Sequence, residues 1–305
     1  MNASSEWTDD FPVLGEMPLR DAVAKLREIG EDEAADALSA VEEPEKEKFS
    51  YSWWPFRNRA WQHTAHALGH LPAHGKGDLL PIREAGAAEA DQSLRNSRIN
   101  VILIRLYAAD YPGGGMHRVL IDLAVRSRSL KLSRPLHFAA RYDVKDGETA
   151  GVVGYPIFLG LPVGAEGIVV GGVTVNVGSE ADEKVMGALD GDSFRNGLKL
   201  LNSWQPALSP LSELMVATTK AVASRSKNVA VQKFNLGLGF EPLAGAAHLA
   251  EGSYVVAQVA EELELWDWEH WAFDVNRGRV INTANPKQPV PFNYVVIGIS
   301  RYGDI

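Results

Sequence analysis

Four of the chain's eight histidines stand in one stretch, WQHTAHALGHLPAHGKGD over 61–78, at positions 63, 66, 70 and 74. Imidazole is a common zinc ligand, and side chains three or four apart on a helix share a face. At 3.6 residues per turn, His63, His66 and His70 fall within an arc of about 60°. They are the candidate metal ligands, with zinc as the possible cofactor of a metal-dependent hydrolase. Pro72 would break or kink such a helix before His74. The stretch also lacks an HExxH pattern, so no general base comes with it. The plainer reading is an amphipathic helix end whose polar face is histidine, favoured there as imidazolium by the helix dipole.

A second grouping is ELWDWEHWAFD over 264–274, which interleaves Trp266, Trp268 and Trp271 with Asp267, Glu269 and Asp274. Aromatic faces beside paired carboxylates suit a sugar, but a glycosidase pair needs a second acid across the bond. A tryptophan-rich core strand with a polar outer face explains the same alternation.

A third is the set Asp110, Asp143, Asp146, Asp267 and Asp274, all near expected strand ends. Calcium takes several oxygen ligands, so loops gathering these aspartates would outline a calcium-dependent membrane-surface module of the C2 type. Loops are rich in aspartate for their turn chemistry as well.

Other familiar chemistry is missing from the text of the chain. PGGGM (112–116) and GLGFEPLAG (237–245) match neither GxxxxGK[ST] nor GxGxxG in its strand-to-helix setting. No GxSxG elbow or kinase set occurs. There is no cysteine, which removes disulfides, thiolate metal sites and cysteine nucleophiles.

The elements that must position these residues begin after a tail expected to be flexible, residues 1–16. Leu19, Val23, Leu26 and Ile29 recur at helical spacing, and Gly30 marks a stop. Ala34, Ala37, Leu38 and Val41 continue a helical hairpin. The spacing assigns 17–71 to an N-terminal helical region. Its aromatic run includes Trp53, Trp54 and Trp61, the candidate interaction residues, which either pack the helices inward or form a docking surface. Residues 72–96, rich in proline and glycine, read as a loop or linker.

From 97 to 305 the pattern is β. INVILIRLY (99–107) is apolar on both faces, and MHRVLIDLAVRS (116–127) alternates as a half-buried strand does. KDGE (145–148) supplies an Asp-Gly turn. A helical insertion is expected over 179–226, with helices at 193–203 and from Ser209-Pro210 to about 225. Strands resume at 229–240, 253–260, 270–275, 279–282 and 293–302. The fold class that follows is α+β: a mainly antiparallel, β-sandwich-like core with an N-terminal helical subdomain and a helical insertion.

The charge balance is 30 basic against 39 acidic residues, a net −9, without a basic run. That speaks against nucleic acid as a partner. No apolar stretch of about 18 residues is present, so no integral membrane span is expected. The N-terminus lacks the charged and apolar regions of a signal peptide, and the expected location is cytoplasmic. The leading expectation for function is a non-catalytic protein acting through a protein partner or through itself, the latter as a homo-oligomer.

Overall fold

A computed structural model of the chain describes residues 7–40, 59–128, 135–152, 154–179, 182, 198–199, 208–241, 247–260, 263 and 266–303. The helical hairpin expected near the N-terminus is present as α1 (Leu19–Glu28) and α2 (Asp32–Ser39). Gly30, at φ +82°, makes the turn between them, in a region that residues with a Cβ rarely enter. Ala22, Leu26, Ala35 and Leu38 form the buried stripe of the pair.

The chain then gives β1 (Ala65–Pro72), β2 (Leu79–Pro81), β3 (Arg83–Glu84), β4 (Arg98–Ala108), β5 (Met116–Ser127), β6 (Leu136–Lys145), β7 (Glu148–Thr149), β8 (Tyr155–Pro162), β9 (Ile168–Val177) and β10 (Leu198–Lys199). Helix α3 (Leu208–Ala223) follows. After it come β11 (Asn228–Gly239), β12 (Ala247–His248), β13 (Gly252–Val259), β14 (Trp271–Asp274), β15 (Arg279–Asn282) and β16 (Tyr294–Arg301).

These strands make three sheets, mostly antiparallel. The largest has the order β10-β8-β4-β16-β13-β1-β3, with β7 added on β4. The second runs β12-β11-β9-β5-β6, and the smallest β15-β14-β2. One cluster of buried side chains draws on both larger sheets, among them Ile121 of β5, Leu236 of β11, Leu103 of β4, Val256 of β13 and Ile297 of β16. Burying each such side chain is worth roughly 1.5–3 kcal/mol. Period-2 alternation sends the other residues of β13 and β16 to a second cluster. There Val255, Ala257 and Val296 meet Trp268 and Val280 of the segment around the smallest sheet.

Several expectations change. The segment carrying the histidines is not helical: Ala65–Pro72 is a full strand of the largest sheet, paired residue for residue with β13. The stretch 72–96, read as a loop or linker, also carries two short strands: β3 extends the largest sheet beside β1 and β2 extends the smallest beside β14. The described part of the supposed tail packs: Phe11 and Val13 are buried with Met215 and Val222 of α3 against Leu120 and Val175. That cover makes β5 buried on both faces rather than half-buried. Within the insertion, α3 stands where Ser209-Pro210 pointed. The helix expected at 193–203 falls largely outside the described residues, and Leu198–Lys199 pairs as a strand with β8.

Candidate functional site

The histidines of β1 obey a strand's period, not a helix's. His66 and His70 lie four residues apart on one face, roughly 13 Å along the strand at about 3.3 Å per residue. That is too far for two imidazoles to share one ion at zinc–nitrogen distances of about 2 Å. His66 packs on Phe234 of β11 in the other large sheet, and His70 on Tyr254, its register partner on the neighbouring strand β13. Burial lowers the pKa of all three candidates, and takes His66 down to about 4. His63 precedes the strand, and its backbone carbonyl accepts a hydrogen bond from Gln258 Nε2 at 2.6 Å. Among the described residues no group of three His, Asp or Glu side chains is placed to hold a metal ion. Trp61 is fully buried in the core shared by the two large sheets, so its ring is not presented for docking. Trp53 and Trp54 lie outside the described residues.

Two histidine–carboxylate pairs went unnoticed in the sequence, because their partners come from different elements. In the first, His137 Nδ1 lies 2.9 Å from Asp122 Oδ1, and both side chains are buried. Ser212 of α3 completes a Ser/His/Asp set in composition only. Its hydroxyl accepts from the His137 backbone N–H and donates to the Pro135 carbonyl. The set pins α3 to the sheet and offers no activated nucleophile, since a triad needs the hydroxyl on the imidazole.

The second pair stands beside the loop DYPGGG. His117 Nε2 meets Asp146 Oδ1 at 2.9 Å, and Nδ1 meets Asn176 Nδ2 at 3.2 Å. The His117 side chain is 1% exposed and both ring nitrogens are occupied. Asp110 lies near it, with Oδ2 at 2.8 Å from Arg59 Nε, and Arg59 also reaches Glu31. Burial pushes the Asp110 carboxyl up to about 6. Arg59 works against that shift, and the charges of Asp146 and Glu31 add to it. Burial alone would raise Asp146 as well, but the bond from His117, the Tyr111 N–H and the Arg59 charge bring it below the usual carboxylate range. The backbone here is held from a distance in sequence. Asn293 accepts from the N–H groups of Ala109 and Asp110 and donates to the Asp110 carbonyl. It donates further to Gln258.

Of the five aspartates considered for calcium, the structure therefore brings together Asp110 and Asp146. Asp143 pairs with Arg141 on β6, Asp267 caps the turn at Glu269, and Asp274 caps the turn at Arg277. The tryptophans of the second grouping form an aromatic cluster, with Trp266 and Trp271 stacked 6.0 Å apart. Trp268 is buried against Gly69 of β1, where a Cβ would meet its ring.

One further feature is an edge. The five-stranded sheet ends on β6, which pairs with β5 over Leu136–Lys145 and, among the described residues, with no other strand. Within the described residues no helix is long and apolar enough to cross a membrane. Comparison with protein-family models, curated proteins and solved structures finds no match to this chain.

Proposed function

We propose that the protein is a non-catalytic association module, a β-sandwich that joins another polypeptide through the open edge of its smaller facing sheet. The observation that carries this reading is β6, a ten-residue edge strand that, among the described residues, pairs with no strand but β5. Its first four residues are buried, but the end of the strand is more open, with Asp143 and Lys145 exposed, and an accessible strand edge is a template for strand addition. The sandwich arrangement itself rests on the hydrophobic cluster common to the two larger sheets and on the bond from Gln258 Nε2 to the Val231 carbonyl between them. The closed state of His117 and His137 supports a non-catalytic role, because each imidazole is buried and already bonded to a carboxylate.

Native mass spectrometry of protein isolated under gentle conditions tests the reading. The expected species is heavier than one 33.2 kDa chain, by a second copy or another polypeptide. A bare single chain at every concentration would count against it.

The divergence of Asp110 and Asp146 favours a second reading, acid–base chemistry beside the glycine loop. Paired carboxyls pushed to opposite sides of their normal range are how one site holds an acid and a base together. Under this reading an ester, phosphoester or glycoside panel gives turnover that follows a group titrating near pH 6 and vanishes in Asp110→Asn. Absence of turnover across the panel leaves the association reading in place.

A further inference from the structure

Four stretches of chain meet at the loop 110–115, and each brings an ionisable group. Glu31 comes from the turn of the helical hairpin, Arg59 from the segment before β1, Asp110 from the loop itself and Asp146 from the turn after β6. Glu31 Oε1 accepts the Gly113 N–H at 2.8 Å, and Asp146 Oδ1 accepts the Tyr111 N–H at 2.9 Å. The Arg59 guanidinium bridges Asp110, at 2.8 Å, and Glu31, at 3.5 Å. His117 of β5 closes the far side on Asp146. Three carboxyls from three stretches thus share one guanidinium.

One cation does not balance three anions. With Asp110 ionised, Asp146 and Glu31 repel it in a partly buried place, where charges act on one another more strongly than in water. With Asp110 protonated, the guanidinium faces two carboxylates and the junction is nearer balance. Burial first, with Asp146 and Glu31 adding to it and Arg59 opposing, sets the Asp110 carboxyl at about 6 against an ordinary 3.8. The seated loop therefore holds a proton more tightly than a hydrated Asp110 would, and by linkage acid favours the seated state. The far end of the loop has the freedom to respond. Asn293 anchors its start through the N–H groups of Ala109 and Asp110. Gly113, Gly114 and Gly115 follow, exposed and at φ +100°, +57° and +84°, where glycine alone is at ease. Open space surrounds Gly114 and Gly115.

We infer that Glu31, Arg59 and Asp110 form a proton-operated clasp, which seats the glycine end of loop 110–115 against the helical hairpin when Asp110 is protonated and loosens it when Asp110 is ionised. Opening separates Gly113 and Arg59 from Glu31 and lets water reach the Asp110 carboxyl. The hairpin itself stays in place, because Ala22, Leu26, Ala35 and Leu38 remain in the main core. The clasp goes beyond the association reading and does not depend on it.

Amide hydrogen exchange of the full chain, followed by NMR at pH 5 and pH 7, tests it, with each rate divided by that of an unstructured peptide at the same pH. Protection of the Gly113 N–H is expected to fall several-fold from pH 5 to pH 7, with about tenfold as the limit set by the two values of Asp110. It is expected to stay below the protection of Leu120 in β5, so that the clasp opens without the chain unfolding. In Asp110→Asn, Gly113 is expected to be equally protected at both pH values. Glu31→Gln keeps an acceptor for Gly113 and removes one negative charge, so the pH at which protection falls is expected to move lower. A merely structural role for Glu31 would leave that midpoint where it is. Retained protection at Leu120 shows that both variants are folded. Gly113 protection that ignores pH, that equals Leu120's, or that changes as much in Asp110→Asn as in wild type would overturn the clasp.

Discussion

Gln258 of β13 donates its side-chain amide to the carbonyl of Val231 in β11, 2.9 Å away, and so ties the two larger sheets together through a polar bond in their shared interior. Val231 lies at a register shift of β11 against β9, between Ala230 and Gln232. A bulge leaves a residue outside the regular ladder. The Gln258 amide meets that need, holds the His63 carbonyl as well, and accepts from Asn293.

Replacing Gln258 by methionine keeps the bulk and removes all three bonds. Each buried partner left unsatisfied costs about 1–3 kcal/mol. The expected loss of unfolding free energy is about 3 kcal/mol or more, read from urea titration, with the slope of the titration unchanged. A loss under about 1 kcal/mol would mean that the two carbonyls find other donors.

The Asp122–His137 pair yields a sharper comparison. His137→Leu leaves the buried Asp122 carboxyl without its partner, and an unsatisfied buried polar group costs about 1–3 kcal/mol, more if it is charged. The double variant Asp122→Leu/His137→Leu removes the orphan. It is expected to be more stable than His137→Leu alone, and equality of the two in thermal unfolding would rule out the pairing argument. Limited proteolysis should report the same order at α3, which Ser212 fastens beside His137.

His66 and Asp110 give opposite dependences on pH. His66 titrates near 4 in the folded protein and near 6.5 when unfolded, so between those values the unfolded chain binds more protons. Stability is lost on acidification from pH 6.5 to 4, with a slope that reaches about 1.4 kcal/mol per pH unit for one such group. His66→Leu should flatten that limb. Asp110 is raised to about 6 from 3.8, so the folded chain holds the extra proton between those values. Its contribution falls as pH rises through that window and the deficit persists at neutral pH. Asp110→Asn is therefore expected to stabilise the protein at pH 7 relative to wild type and to bring no gain at pH 4. Chemical denaturation at several pH values separates the two effects.

Gly167 sits just before β9 at φ +94°, and a Cβ there would overlap the Leu238 carbonyl of β11. Strained φ alone costs about 1–3 kcal/mol, before any clash with a backbone atom. Gly167→Ala should lower the melting temperature clearly, whereas Gly151→Ala, with open space around it and no positive φ, should not.

Much of this was legible one residue at a time. INVILIRLY is apolar on both faces and became β4, and the Asp-Gly turn at 145–148 carries Gly147 at φ +74°. The histidine segment misled because its spacing of three and four fits a helix, while AHALGHLP contains no β-branched residue to signal a strand. Pairing with β13 along the whole segment overrides that local preference. The calcium reasoning gathered five aspartates by their place near turns, but only distance in space could divide them, and Asp110 is held by Asn293, 183 residues later. The His137–Asp122 contact joins two strands and the His117–Asp146 contact joins a strand to the turn after β6, which periodicity within one strand does not express. The edge on β6 depends on strand order, a property of the whole sheet rather than of any local stretch.

The position of β13 has a consequence for how the chain is made. β1 and β4 lie in the same sheet as β13 and β16, and His66 stands opposite Gln258. Synthesis proceeds at about 5–20 residues per second, so β1 leaves the ribosome roughly 10–40 s before the strand it pairs with. During that interval its histidines are in water and close to their ordinary basicity. The sheet closes late, around strands far apart in the sequence, and a nascent chain halted before β13 has no means of completing it.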